Sequence, residues 1–237
     1  MSEPRNLIVN ADDFGRSPGI NRGIIRTFES GILTSTSMMV RWPAAVAAAD
    51  YARQHPELSV GLHLDLAEWE YTEATGWKPV YEVVNPEDAT AIAAEIERQL
   101  QRFRELMGCE PTHFDSHQHV HNSEPVRSIL QSVAKSARRV LRSHDAKVRY
   151  FGGFYGQADK GESYPEWVSP EAFIRLLTEA GPGYTEFGCH PGEGADFDSV
   201  YCPERTIECN TLCDPSVRLA IEEAQIRLVS FRDLYTR

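Results

Sequence analysis

Short runs of β-forming residues alternate with longer amphipathic segments along the whole chain, and this alternation constrains the fold more than any other property of the sequence. It is the signature of repeated βαβ units and therefore of a mostly parallel sheet. The strand candidates are Leu7 to Asn10, Thr34 to Val40, Leu58 to Asp65, Thr112 to Ser116, Lys147 to Tyr150, Tyr184 to Cys189 and Arg227 to Phe231. About seven strands joined by right-handed crossovers predict an α/β fold closed into a distorted (β/α) barrel similar to a TIM barrel. An open doubly wound sheet satisfies the same periodicity. A chain of 237 residues has the length of one such barrel, so residues 1–237 are read as a single domain.

The helices between these strands carry their own punctuation. In Asp88 to Met107 the apolar residues Ala89, Ile92, Ala93, Ile96, Leu100 and Phe103 recur at spacings of three and four, and Gly108 supplies a stop. Ser123 to Arg139 places Val126, Ile129, Leu130 and Val133 on one face. Ser169-Pro170 and Asp214-Pro215 each pair a cap with proline at the first helical position, and Gly181-Pro182-Gly183 ends the former helix. Two segments lack periodicity: Ala67 to Glu87, with Trp69, Tyr71 and Trp77, and Phe151 to Val168, with Phe154, Tyr155, Tyr164 and Trp167. Both follow strands, where active-site loops of such folds sit. Their aromatics either stack on a sugar face or pin long loops to the body.

Charge and cysteine usage narrow the partners. A net charge of -11 disfavours a nucleic-acid backbone and fits a neutral or cationic small molecule better. No run approaches the roughly 18 apolar residues of a membrane span, and Met-Ser-Glu-Pro-Arg lacks the apolar core of a signal peptide. Five cysteines without a Cys-x-x-Cys pair indicate a reducing, cytoplasmic setting rather than a disulfide framework. Cys202, Cys209 and Cys213 lie close together, but buried or loop thiols account for them better than a zinc cluster does.

Four separated clusters place acids or histidines at strand ends: Asn10-Ala11-Asp12-Asp13-Phe14-Gly15, Gly61-Leu62-His63-Leu64-Asp65, His113 to His121, and Gly188-Cys189-His190-Pro191-Gly192. Together they read as one metal site at one barrel mouth, where imidazoles and a carboxylate with open positions for water equip a hydrolase. Asp12 and Asp13 follow the first strand on a turn that Gly15 tightens. Being adjacent, they point in different directions, so one can bind a cation while the other takes a proton. Asp65 shares a face with His63 and is placed to orient it or to cap the loop. On an extended chain His113, Asp115, His117, His119 and His121 share one face, and a solvated strand has no reason to collect four imidazoles.

These motifs resemble the YdjC-like carbohydrate deacetylases, a family that includes chitooligosaccharide deacetylase and hopanoid-associated deacetylase. The resemblance rests on Asn10-Ala11-Asp12-Asp13-Phe14-Gly15, the Gly-x-His of the third strand, Thr112-His113-Phe114-Asp115-Ser116-His117 with His119 and His121 following, and Cys189-His190-Pro191. It implies a distorted barrel, one divalent cation (Mg2+, alternatively Zn2+), removal of an N-acetyl group from an amino sugar, and a homodimer. Carried over by motif, Asp13, His63 and His117 match the metal ligands, Asp12 the catalytic base, and His190 an acid or an oxyanion partner. Asp115, His113, His119, His121 and Arg149 are then second-shell or substrate contacts. The family often has three consecutive histidines where this chain has His117-Gln118-His119. On a strand Gln118 faces away, so metal binding is expected to survive. Two other readings stand beside this one. A metal-dependent phosphoesterase on a similar barrel needs cations for phosphate, and Arg16 and Arg149 are the only nearby candidates. A carbohydrate-binding protein with a structural metal has no use for an unligated Asp12.

Overall fold

The first strand is the hub of the molecule. In the computed structural model, which describes residues 3–194, 196 and 201–235, β1 (Arg5–Phe14) is buried along nearly its full length. Met1 and Ser2, part of the N-terminal stretch read as lacking a signal peptide, lie outside the described residues. The chain continues through α1 (Pro18–Ser30), β2 (Ser35–Met38), α2 (Ala45–Gln54), β3 (Ser59–Leu64), β4 (Ala67–Thr72), β5 (Gly76–Glu82) and α3 (Ala89–Met107). It then forms β6 (His113–Ser116), α4 (Val126–Ala137), β7 (Val140–Leu141), β8 (Val148–Phe151) and α5 (Pro170–Leu176). β9 (Gly183–Cys189), α6 (Cys202–Leu212), α7 (Pro215–Glu223) and β10 (Arg227–Leu228) complete it.

Eight parallel strands run in the order β7-β6-β3-β2-β1-β9-β8, with β10 beside β1. Val140 of β7 and Val148 of β8 join one apolar cluster with Ile8 and Phe231, and Arg142 lies 4.7 Å above the Tyr150 ring across the same seam. The sheet is thus the nearly closed, distorted barrel that the alternation predicted. Leu7, Ile8 and Val9 are fully buried, as expected of a parallel strand covered on both faces.

Local sequence explains most element ends. Ser17, Asp88, Ser169 and Asp214 each accept a backbone N–H at the start of a helix, a capping contact that contributes ~1 kcal/mol. Gly108 takes the left-handed conformation after α3, as its position in the sequence suggested.

All seven expected strands are present, with differences. β1 runs to Phe14, so Asp12 and Asp13 lie within it rather than after it. β7 is too short for any pattern to register. The segment Ala67 to Glu87 holds an antiparallel hairpin, β4 with β5. Its residues are half-buried or exposed on both faces, so no apolar alternation marks it. No helix among the described residues is long and apolar enough to cross a membrane.

Candidate metal centre

Two neighbouring carboxylates leave the end of β1 for different partners. Asp13 has φ 70°, a left-handed conformation that Asp tolerates better than most side chains. The Arg16 N–H donates to the Asp13 carbonyl at 3.0 Å and closes the turn, while Gly15, with φ 93°, has Met39 O only 2.8 Å from where a Cβ would sit.

His63 on β3 stands opposite Asp115 on β6 in the sheet register. Its Nδ1 lies 2.7 Å from Asp115 Oδ1, so an ionised Asp115 makes Nδ1 the donor and turns Nε2 toward Asp13 Oδ1, 3.4 Å away. His117 opens a 3-10 turn, His117–Asn122, and places its Nδ1 3.3 Å from the same oxygen. Asp13 Oδ1 is buried and has no hydrogen-bond donor. Ligand atoms of Asp13, His63 and His117 all lie within 4.8 Å of one another. A donorless carboxylate oxygen facing two imidazoles is a donor set that could hold a divalent cation.

Asp12, His63 and Asp115 meet the same distance criterion, but a guanidinium already serves two of them. Arg142 donates from Nη1 and Nη2 to the two oxygens of Asp12, at 2.7 Å each, and its Nη2 lies 2.9 Å from Asp115. The same side chain reaches Glu186 at 2.6 and 2.9 Å. A second positive charge there would be repelled by Arg142, so the trio around Asp13 is the better cation site.

The electrostatics follow from burial and pairing. Burial alone would raise Asp13, yet Arg205 and the two imidazoles outweigh it and hold the carboxyl well below its ordinary range. Asp12 is likewise lowered against burial, chiefly by Arg142. Burial opposes charge on His63, but Asp12 and Asp115 overcome it and raise the imidazole to about 10. Burial raises Glu186 to about 7 and Glu208 to about 8. His190 follows β9, with Nε2 3.8 Å from Asp12 Oδ2 and its backbone N–H donating to Glu208. Burial lowers its imidazole to about 4.

The strand ends at Ser116 as expected, and the extended conformation on which His113, Asp115, His117, His119 and His121 would share a face does not continue beyond it. Gln118 and His119 are left-handed, at φ 48° and 53°, so the histidines do not share one face. His113 is buried beneath the site, bonded to Ser37 Oγ at 2.9 Å and stacked on Phe231; its ring fills the space above Gly61. His119 Nε2 lies 3.4 Å from the Tyr150 hydroxyl, and His121 bonds Ser116 Oγ at 2.6 Å. Gln118, far from idle, pairs through its amide with the Trp69 backbone, at 2.8 Å in each direction, and ties the hairpin to the centre.

Three sequence expectations are corrected. Arg149 stands away from the centre: β8 alternates, so Tyr150 turns inward while Arg149 is half exposed beside Glu179. Of the two roles read for Asp65, orienting His63 is the one that fails: its carboxylate instead ties together Arg41, Trp42 and Tyr81 of neighbouring segments. The cations of the site are Arg142 and Arg205, together with Arg16, whose Nη1 lies 3.2 Å from His117 Nε2. Arg142 follows a two-residue strand, and Arg205 lies on a helix of weak amphipathicity, so no periodic signal pointed to either. None of the five cysteines forms a disulfide, and Cys202, Cys209 and Cys213 belong to no potential metal-holding group among the described residues. Of the loop aromatics, Phe154 is buried in the core as a pin, whereas Tyr155 stacks on Tyr201 and meets the His190 ring edge-on at 5.3 Å.

The profile of the YdjC-like protein family matches residues 6–223. A carbohydrate deacetylase of Geobacillus stearothermophilus is 35% identical over 98% of this chain and 99% of its own. A chitooligosaccharide deacetylase of Klebsiella pneumoniae (strain 342) is 35% identical over 97% of this chain and 99% of its own. Among solved structures, one from Enterococcus faecalis V583, of a proposed cellobiose-phosphate cleavage protein, superposes with a TM-score of 0.77 at 24% identity, covering 98% of this chain and 99% of that one. A family 4 carbohydrate esterase from Streptomyces lividans, in complex with acetate, gives 0.56 at 12% identity, covering 98% and 96%. These two likenesses concern the fold.

Proposed function

The chain belongs to the YdjC-like family, and on that premise we propose that it is a metal-dependent carbohydrate deacetylase, an amide hydrolase that removes N-acetyl groups from an acetylated amino sugar or oligosaccharide. The observation that carries the reading is the convergence of Asp13, His63 and His117 on one donorless oxygen, with Asp12 beside them.

These residues fit a divalent cation and would hold it through Asp13, His63 and His117. When bound, such an ion polarises an acyl oxygen and lowers the pKa of water from 15.7 toward ~7. For His117 to present its Nδ1 lone pair, Nε2 carries the proton, so Arg16 no longer donates to it and keeps its pair with Glu68. Arg142 keeps Asp12 ionised and oriented by its two-point contact, so Asp12 accepts the proton of the attacking water. His190, neutral at rest, relays that proton from Asp12 to the departing amine. Asp115 fixes the His63 tautomer, while the Gln118 clamp holds the hairpin at the rim. Arg142, Arg205 and Arg16 each pair with a carboxylate, an arrangement less suited to a phosphoester than to a neutral amide.

Family resemblance implies magnesium, whereas two imidazoles with one carboxylate form a zinc-type donor set. A homodimer is proposed on resemblance alone, and a cytoplasmic setting is supported by five cysteines of which none forms a disulfide. The whole reading, a single catalytic domain included, is tested by acetate release from a panel of N-acetylated mono- and oligosaccharides, using metal-free protein reloaded with magnesium or zinc. Release with at least one ion is expected. An ion-loaded protein that binds these sugars without releasing acetate would instead be a carbohydrate-binding protein with a structural metal.

A further inference from the structure

α6 delivers a guanidinium to the centre from outside the strand-end clusters. Arg205 Nη2 lies 2.5 Å from Asp13 Oδ2, with both side chains buried. Its Nη1 donates to the His190 carbonyl at 3.3 Å, and the Arg205 carbonyl accepts the Gly192 N–H at 3.1 Å. Asp13 Oδ1 faces His63 and His117 at 3.4 and 3.3 Å and receives no hydrogen bond. The two oxygens of one carboxylate are therefore given to different partners.

Resting on the metal-centre reading above, we propose that Arg205 is a positioning residue that confines Asp13 to one-oxygen ligation and thereby sets which ions the centre accepts. A carboxylate with both oxygens open suits calcium, which takes six to eight oxygen ligands and often binds carboxylates through both. A carboxylate with one oxygen locked in a charge-assisted hydrogen bond offers a single donor. Together with two imidazoles, that single donor suits a small ion of low coordination number such as zinc. Arg205 reaches the His190 loop through both side chain and backbone, so the segment carrying His190 is fixed by the same residue that fixes the ligand. A direct contact with substrate is disfavoured, because Arg205 is only 5% exposed and its guanidinium is turned toward Asp13 and His190.

The test is calorimetric binding of Zn2+, Mg2+ and Ca2+ to metal-free protein, with circular dichroism to establish folding. In R205M the ratio of zinc to calcium affinity falls by about tenfold or more, a magnitude typical of residues that orient a ligand. R205K keeps the charge but donates as a point rather than a fork, so it moves the ratio the same way by a smaller factor, and it carries the test if R205M does not fold. Equal weakening of all three ions, or a ratio constant within about twofold in the folded variants, overturns the role of Arg205. D13A separates the two claims. If wild-type binding is lost in D13A while the Arg205 variants leave selectivity unchanged, only the role of Arg205 falls. If D13A binds ions as the wild type does, the centre falls with it.

Discussion

Asp115 Oδ1 accepts a hydrogen bond from His63 Nδ1 at 2.7 Å, and that contact determines which nitrogen of His63 faces Asp13. Removing the acceptor frees both the ring orientation and the tautomer. D115A should weaken metal binding by about 10–100-fold, with D115N, which can still accept, losing less. Competition against a chelating dye measures this, and equal affinity in D115A and the wild type would show that His63 is positioned by packing alone.

Asp12 stands beside the proposed ligands but is held by Arg142 rather than aimed at Asp13 Oδ1. D12N should retain metal while turnover drops by about 10²–10⁴-fold, the usual contribution of a general base. Metal content and acetate release are read on the same sample. Loss of the ion in D12N would make Asp12 a ligand instead.

Arg142 compensates three buried carboxylates, Asp12, Asp115 and Glu186. R142M leaves them facing one another with only the His63 imidazole to offset their charge, and breaking a buried pair in this way costs about 3–5 kcal/mol. Urea unfolding of the metal-free protein should show that loss. A midpoint within error of the wild type would mean that protonation of Glu186, already raised to about 7 by burial, relieves the strain.

His113, which is not among the proposed ligands, supplies a pH dependence of its own. Burial lowers it to about 3, the Asp115 carboxylate notwithstanding, so the folded state holds it neutral while the unfolded chain protonates it near 6.5. The folded protein therefore binds fewer protons between those values, and stability falls as pH drops from about 6.5 toward 3, by at most ~1.4 kcal/mol per pH unit for this group. H113Q, which keeps hydrogen-bonding capacity toward Ser37, should flatten that part of the curve. An unchanged slope would assign the acid sensitivity to other groups.

Much of this centre was legible because parallel barrels put catalytic side chains at the C-terminal ends of strands, and Asp12, Asp13, His63 and His117 sit at or just beyond such ends. Periodicity failed where no face is consistently buried, as in the β4–β5 hairpin, and where an element is two residues long, as in β7. It failed again where backbone conformation departs from the strand. The left-handed Gln118 and His119 cannot be inferred from residues that are not glycine, yet they break the expected row of histidines and send Gln118 to Trp69. Arg142 and Arg205 were missed for a different reason: burying a guanidinium requires carboxylates brought from distant strands, and only the folded chain brings them together.

The central claim is that one cation is held by Asp13, His63 and His117 and not by the neighbouring trio of Asp12, His63 and Asp115. Anomalous diffraction from crystals of zinc- or manganese-loaded protein tests it most directly. The account predicts one peak bonded to a single oxygen of Asp13, His63 Nε2 and His117, with Arg142 still on Asp12. A peak coordinated by Asp12 and Asp115, with Arg142 displaced, would contradict it.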